Sequence, residues 1–217
     1  MELLHVAAAD GTRTVVATPH CSRMFPTTPE QIERAVAALR EDGAPVELLA
    51  GAEVTHEMAL QLPDETLRLL TLGDSRCVLL EAPLEPVVGP DLERCVENLH
   101  ERGYRVLLAH PERAPGFRED PGRLRALVEG GALCSVTAAS LSGGFGAAAR
   151  WFGLELLRDG LVHSVDSDAH HATLRPPGLR SGLSAAASEL PALRPEWLAQ
   201  EVPAALLADE PVPSAAS

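Results

Sequence analysis

The segment Leu161-Val-His-Ser-Val-Asp-Ser-Asp-Ala-His170 reads as a short buried strand, Leu161 to Val165, running into two carboxylates and an imidazole. A core strand has no structural use for Asp166, Asp168 and His170 together, because a buried unpaired charge costs several kcal/mol or more. Carboxylate oxygen and imidazole nitrogen packed this closely form a donor set for a divalent metal. The fold must then deliver matching donors from other segments to the end of this strand.

Outward from that segment, strand and helix alternate along the whole chain. The apolar, β-branched runs are Thr14–Thr18, Val46–Ala50, Cys77–Leu80, Arg105–Ala109, Leu133–Thr137 and Leu161–Val165. Helical spacing opens the chain at Met1–Asp10, stopped by Gly11. Thr28 with Pro29 and Gln31 makes a capping box for a helix that ends at Gly43. Further helices span Pro90–Arg102, Asp120 to Gly130 and Ala147–Arg158, and one or two short ones lie between His56 and Gly73. Ser184–Glu189 and Glu196–Leu207 complete a domain spanning 1–209, and 210–217 reads as a disordered tail. The alternation predicts α/β architecture, with parallel strands joined by helical crossovers. The strand count falls one or two short of a closed barrel.

The residues that carry chemistry fall at or just past the strand ends: His20, Glu53, Glu81, His110, Asp168 and His170. In α/β barrels that rim holds the active site. A lone strand-end His or Glu is more often a solvated loop residue or a cap. Five strands ending in metal-type donors is a different matter. Three imidazoles and three carboxylates suit Mn²⁺, Zn²⁺ or Fe²⁺ and exceed the needs of one ion. Glu53 is placed to bridge two ions, and paired ions activate water and stabilise a transferring phosphoryl group. Arg113 offers a bidentate clamp for phosphate, against the plainer reading of a surface pair with Glu112.

Other candidates read as structural. His5, His100 and His163 sit on helices or inside a strand, while His56 and His171 stay ambiguous. Cys21 lies beside His20, but no Cys-x5-Arg loop surrounds it. Ser142-Gly-Gly-Phe-Gly146 lacks the lysine of a phosphate-binding loop and reads as a flexible start to the next helix.

Composition narrows the classes. A net charge of −13 with 3% aromatics argues against nucleic acid and anionic membranes as partners. No apolar run approaches the ~20 residues of a membrane span, and the N-terminus has no signal-peptide pattern. Four scattered cysteines without a C-x-x-C pair match neither a zinc ribbon nor a disulfide framework, so a reducing cytoplasm is expected.

Ala17-Thr-Pro-His20, Gly51-Ala-Glu53, Leu80-Glu81, Ala109-His-Pro-Glu-Arg113 and Ser167-Asp-Ala-His170 with Arg175-Pro-Pro177 together resemble the polymerase-and-histidinol-phosphatase (PHP) superfamily. Within it they look most like the bacterial capsule-biosynthesis tyrosine phosphatases. The resemblance implies a distorted (β/α)7 barrel holding up to three divalent ions, commonly Mn²⁺. It implies Glu53 as the bridging carboxylate, with Glu81, His110 and Asp168 completing a paired site and His20 and His170 holding a third ion. It implies that Arg113 orients the phosphate, with Asp168 and His170 also in the catalytic group. The implied reaction is hydrolysis of phosphotyrosine by a metal-activated hydroxide, without a cysteinyl intermediate. The implied partners are the tyrosine kinases that control exopolysaccharide assembly.

The family opens with a strand ending in Asp-x-His-x-His, and nothing before Thr14 matches it. The expectation is therefore a barrel missing its first strand and two ligands, with weak binding at one ion and poor stability. Two other readings stand beside the tyrosine phosphatase. One is a histidinol-phosphate or other small phosphomonoester phosphatase. The other is a non-catalytic barrel that serves as a binding partner.

Overall fold

β-Branched and leucine-rich runs bury both faces in parallel strands, and a helix returns the chain after nearly every one. The computed structural model describes residues 1–84 and 90–215. Its strands are β1 (Thr14–Ala17), β2 (His20–Cys21), β3 (Glu47–Ala50), β4 (Glu53–Val54), β5 (Cys77–Glu81), β6 (Arg105–Ala109), β7 (Leu133–Thr137) and β8 (Ser164–Asp166). β1 pairs with β3, while the others form one sheet in the order β2-β4-β5-β6-β7-β8, and all pairs are parallel. The chain is thus an α/β fold of parallel sheets. The expected strand at Leu161–Val165 is ordered as β8 slightly later, although His163 N already donates to Cys134 O at 2.9 Å.

Two breaks aim the first donors. β1 gives way to β2 at Thr18-Pro19, where proline has no N–H, yet Pro19 O still accepts from Glu53 N at 3.1 Å. β3 gives way to β4 at Gly51-Ala52, where Gly73 N reaches Ala50 O at 2.7 Å. A Cβ at Gly51 would lie 3.1 Å from Val16 Cγ1 and 3.2 Å from Thr71 O, so this close backbone approach favours glycine.

The sequential parallel order is that of an α/β barrel wall. Its two end members approach each other at the rim, where His170 Nε2, beyond β8, stands 3.4 Å from His20 Nε2 on β2. Helix Glu2–Asp10 ties the same two ends, because Asp10 Oδ2 accepts from Leu179 N at 2.7 Å and Arg180 N at 3.1 Å. No strand pairing links β8 to β2 among the described residues.

The expected helix signals act as read. Gly11 closes the first helix in the left-handed region (φ 99°), and the Thr28 box is complete, with Thr28 N donating to Gln31 Oε1 at 2.8 Å. Short elements right after β6 and β7 were not legible. The 3-10 turn Pro111–Arg113 and the helices Pro115–Glu119 and Ala138–Leu141 are too brief to display a period. The helix expected from Ser184 begins earlier, at Arg180, and packs on Ala138–Leu141. Its Gly182 makes that contact: a Cβ there would sit 2.1 Å from Ala138 O, a backbone atom that cannot step aside. Gly182→Ala is expected to destabilise the protein by about 2 kcal/mol through overpacking, measured as a lowered urea midpoint at unchanged slope. An unchanged midpoint would refute the contact.

The tail expectation needs correction over its described part. Asp209 turns the chain back (φ 55°) and accepts from Arg76 N at 2.7 Å. Glu210 O then accepts from Arg105 Nη1 at 2.7 Å, Pro213 O accepts from Trp197 Nε1 at 2.9 Å, and Val212 packs against the core. These bonds hold residues 210–215, while 216–217 lie outside the described residues. One continuous core cluster runs from Leu4 to Leu206. No helix among the described residues is long and apolar enough to cross a membrane.

Candidate metal centre

Register brings the donors together. His20 on β2 lies directly opposite Glu53 on β4, and Glu53 opposite Leu79 on β5. Side chains repeat every second residue along a strand, so Glu81 extends from the same face as Leu79, one step nearer the rim. Glu81 is in turn opposite Ala109 on β6, and His110 follows immediately. The His20, Glu53 and Glu81 donor atoms all lie within 4.8 Å of one another.

Glu53 is the hub. Its side chain is buried (4% exposed), with Oε2 2.7 Å from His20 Nδ1 and Oε1 2.8 Å from His110 Nε2. Burial pushes its carboxyl upward, but hydrogen bonds from His110 and His20 outweigh that and hold it at about 2. The hydrogen bond to Glu53 raises His20. For His110, burial pulls the imidazole down, yet the bond and charge of Glu53 leave it raised. One ionised carboxylate between two imidazoles is what the chain itself supplies, and a divalent cation fits that donor chemistry. His110 Nδ1 and Asp166 Oδ1 are buried without a hydrogen-bond partner, and the His20 and His170 Nε2 atoms face each other at 3.4 Å. These atoms are further donors close in sequence or space to the hub.

Backbone strain marks the same places. Among the described residues, positive φ outside glycine occurs at His110 (38°), Asp168 (43°) and Asp209. Two of those are expected ligands, each just beyond a strand. Left-handed backbone is unfavourable for such residues and persists where surrounding contacts impose it, often at functional sites.

The rest of the expected set gathers more loosely. Asp168 Oδ2 accepts from Arg113 Nη1 and from Arg175 Nη2, the latter at 2.5 Å. Asp168 also meets His170, whose Nδ1 is 3.0 Å from its carbonyl oxygen. Asp168 thus faces two guanidiniums, and its charge also acts on His20 and His110. Arg113 is not the surface partner of Glu112. Glu112 is wholly buried, accepting at Oε1 from Ser140 Oγ (2.6 Å) and Thr137 N (3.2 Å). Burial raises its carboxyl to about 7.

Three residues beside the expected set matter here. Arg175 stood in a quoted motif, but only the fold shows it converging with Arg113. Glu112 stood in His-Pro-Glu-Arg, where nothing local distinguishes a buried acid from an exposed one. Phe145 lies beneath both arginines, with Arg113 Cζ 4.2 Å and Arg175 Cζ 5.4 Å from its ring centre. Dense glycine around Phe145 was its single signal. Three other histidines have local partners. His163 Nδ1 accepts from Cys134 N at 3.2 Å, His171 Nδ1 closes a turn by accepting from Thr173 N at 3.1 Å, and His56 stands near Glu57. Cys21 is buried and its thiol pushed up by burial, which disfavours the nucleophilic thiolate.

Comparisons with known proteins supply the family. The family described as "Capsular polysaccharide synthesis, CpsB/CapC" matches residues 1–207. Tyrosine-protein phosphatase YwqE of Bacillus subtilis (strain 168) is 33% identical over 180 residues, covering 81% of this chain and 70% of that protein. Tyrosine-protein phosphatase CpsB of Streptococcus agalactiae is 22% identical over 193 residues, covering 82% of this chain and 77% of that protein. A chain from the crystal structures of YwqE from Bacillus subtilis and CpsB from Streptococcus pneumoniae, described as metal-dependent tyrosine phosphatases, aligns with a TM-score of 0.87 at 31% identity. That alignment covers 97% of this chain and 87% of the other. A rim of strand-end donors and a match along nearly the full sequence lead to one assignment: this chain belongs to the CpsB/CapC family of capsular polysaccharide synthesis.

Proposed function

We propose that this chain is a metal-dependent phosphatase that removes phosphate from phosphotyrosine on proteins. The observation that carries the reading is the buried Glu53 carboxylate, ionised between His20 and His110 with Glu81 beside it. In this reading Glu53, Glu81, His110 and Asp168 hold a pair of ions, and His20 with His170 holds a third. Mn²⁺ is the proposed metal. The ions, when bound, supply an activated water and neutralise charge on the phosphoryl group.

The chain's own residues do the rest. Arg113 and Arg175 converge on one point at Asp168, which suits the oxygens of a phosphate dianion. A water oxygen joins phosphorus, the bond from phosphorus to the tyrosyl oxygen breaks, and the phenolate departs and takes up a proton. All four cysteines are free and buried, which favours direct displacement over a phosphocysteine intermediate. The proposed substrates are cytoplasmic tyrosine kinases of capsule or exopolysaccharide assembly, a step in keeping with the family and with the names of its relatives.

The test is phosphate release from a phosphotyrosine peptide with Mn²⁺, run beside histidinol phosphate. Turnover of the peptide is expected, abolished by a chelator and restored by added Mn²⁺. His110→Ala is expected to lower it by about a hundredfold. Turnover indifferent to the chelator, or a preference for histidinol phosphate, would overturn the reading.

A further inference from the structure

We infer that Phe145 is a positioning residue that holds Arg113 and Arg175 ready for phosphate through the face of its ring, an inference that rests on the phosphatase reading of the site. The two arginines come from distant parts of the chain, one just after β6 and the other beyond β8. Both donate to the same oxygen, Asp168 Oδ2. A single carboxylate offsets only one of two adjacent positive charges, and the remaining repulsion drives the guanidiniums apart. Phe145 lies where it opposes that repulsion, with its ring centre 4.2 Å from Arg113 Cζ and 5.4 Å from Arg175 Cζ.

The chemistry suits the task. An aromatic face attracts a cation by its quadrupole and engages the flat side of a guanidinium. The ring face uses none of the edge N–H groups, so those not donated to Asp168 stay available to phosphate oxygens. The backbone is built to present the ring: Gly143 (φ 93°) and Gly146 (φ 88°) occupy the left-handed region on either side of it. At Gly144 a Cβ would stand 3.1 Å from Ala139 O. This run does open the helix Gly146–Arg158, as read from sequence, and it does so through a shaped turn. Arg118 braces the other partner, since its Nη1 donates to Arg113 O at 2.8 Å and Glu112 O at 3.1 Å.

The experiment compares Phe145→Leu, Phe145→Tyr and Phe145→Trp in the Mn²⁺-loaded protein. Phe145→Leu is expected to lower kcat/KM for the phosphotyrosine peptide, and to weaken inorganic phosphate as a competitive inhibitor, each by about tenfold. Phe145→Tyr and Phe145→Trp are expected to restore both. Calorimetric Mn²⁺ affinity should be the same in all three, because Phe145 touches no proposed ligand. A leucine variant equal to wild type, aromatic variants as poor as leucine, or a parallel loss of Mn²⁺ affinity would each overturn the inference. Wild-type protein without turnover would count against the phosphatase reading. Calorimetric binding of inorganic phosphate to the same variants then decides the role of Phe145, and loss of the aromatic preference there overturns it too.

Discussion

Glu53→Gln is expected to lower kcat/KM for a phosphotyrosine peptide by at least about a thousandfold and to weaken Mn²⁺ binding in parallel. The amide keeps the shape of the side chain, so the packing of β4 against β2 and β5 survives. What it removes is the single negative charge between two imidazoles, at 2.7 Å from His20 and 2.8 Å from His110. Metal-free protein offers a second readout. The His110 imidazole stands above its ordinary value of 6.5 because Glu53 outweighs the effect of burial. Without that charge, burial and the Arg113 guanidinium outweigh the Asp168 carboxylate, and the imidazole should titrate below 6.5, as seen by NMR. The acid limb of stability should change as well. Glu53 is lowered from 4.5 to about 2, so its contribution is present above 4.5 and lost as pH falls through about 2. The variant should lack that loss. Retained Mn²⁺ affinity in Glu53→Gln would remove Glu53 from the hub.

The second large effect concerns Glu112, and its sign is opposite. Its carboxyl is raised from 4.5 to about 7 by burial, with Oε2 lacking a hydrogen-bond partner. A raised acid favours the folded state below its unfolded value and loses that advantage as pH rises through the folded one. Metal-free protein is therefore expected to lose stability between about pH 4.5 and somewhat above 7, by roughly 3 kcal/mol from this group. Glu112→Gln should flatten that slope. Its absolute stability matters less, because the new amide hydrogens find no acceptor where Oε2 stood. Bound Mn²⁺ should also shrink the wild-type slope, since a nearby cation favours the ionised carboxylate. Chemical denaturation at several pH values, with chelator and with Mn²⁺, measures all three. Equal slopes in wild type and Glu112→Gln would show that Glu112 does not titrate in this window.

Much of this fold is legible in the sequence. Strand runs such as Arg105–Ala109 and Leu133–Thr137 announced themselves by composition, and the Thr28 box and Gly11 marked helix ends by local chemistry. The six residues proposed as ligands stand out for a related reason: one donor after a strand is commonplace, but five strands ending in such donors form a pattern. Such signals are carried by neighbours in sequence, so the chain alone suffices to read them.

The order of contact among those donors was not legible. Sequence put Asp168 among the ligands, and the fold adds that its Oδ2 meets Arg113 and Arg175. It likewise buries Glu112 beneath Ser140, sets Phe145 under two arginines, and ties back residues 210–215 that composition marked as loose. Each of these depends on segments tens of residues apart meeting at one point. The sequence by itself determined the alternating α/β architecture and the kinds of donor at its strand ends, because backbone propensity and side-chain chemistry are local properties. Only the tertiary structure decided which charges are neighbours and which acids are buried, because charge energies depend on distance and desolvation, and both are set by packing.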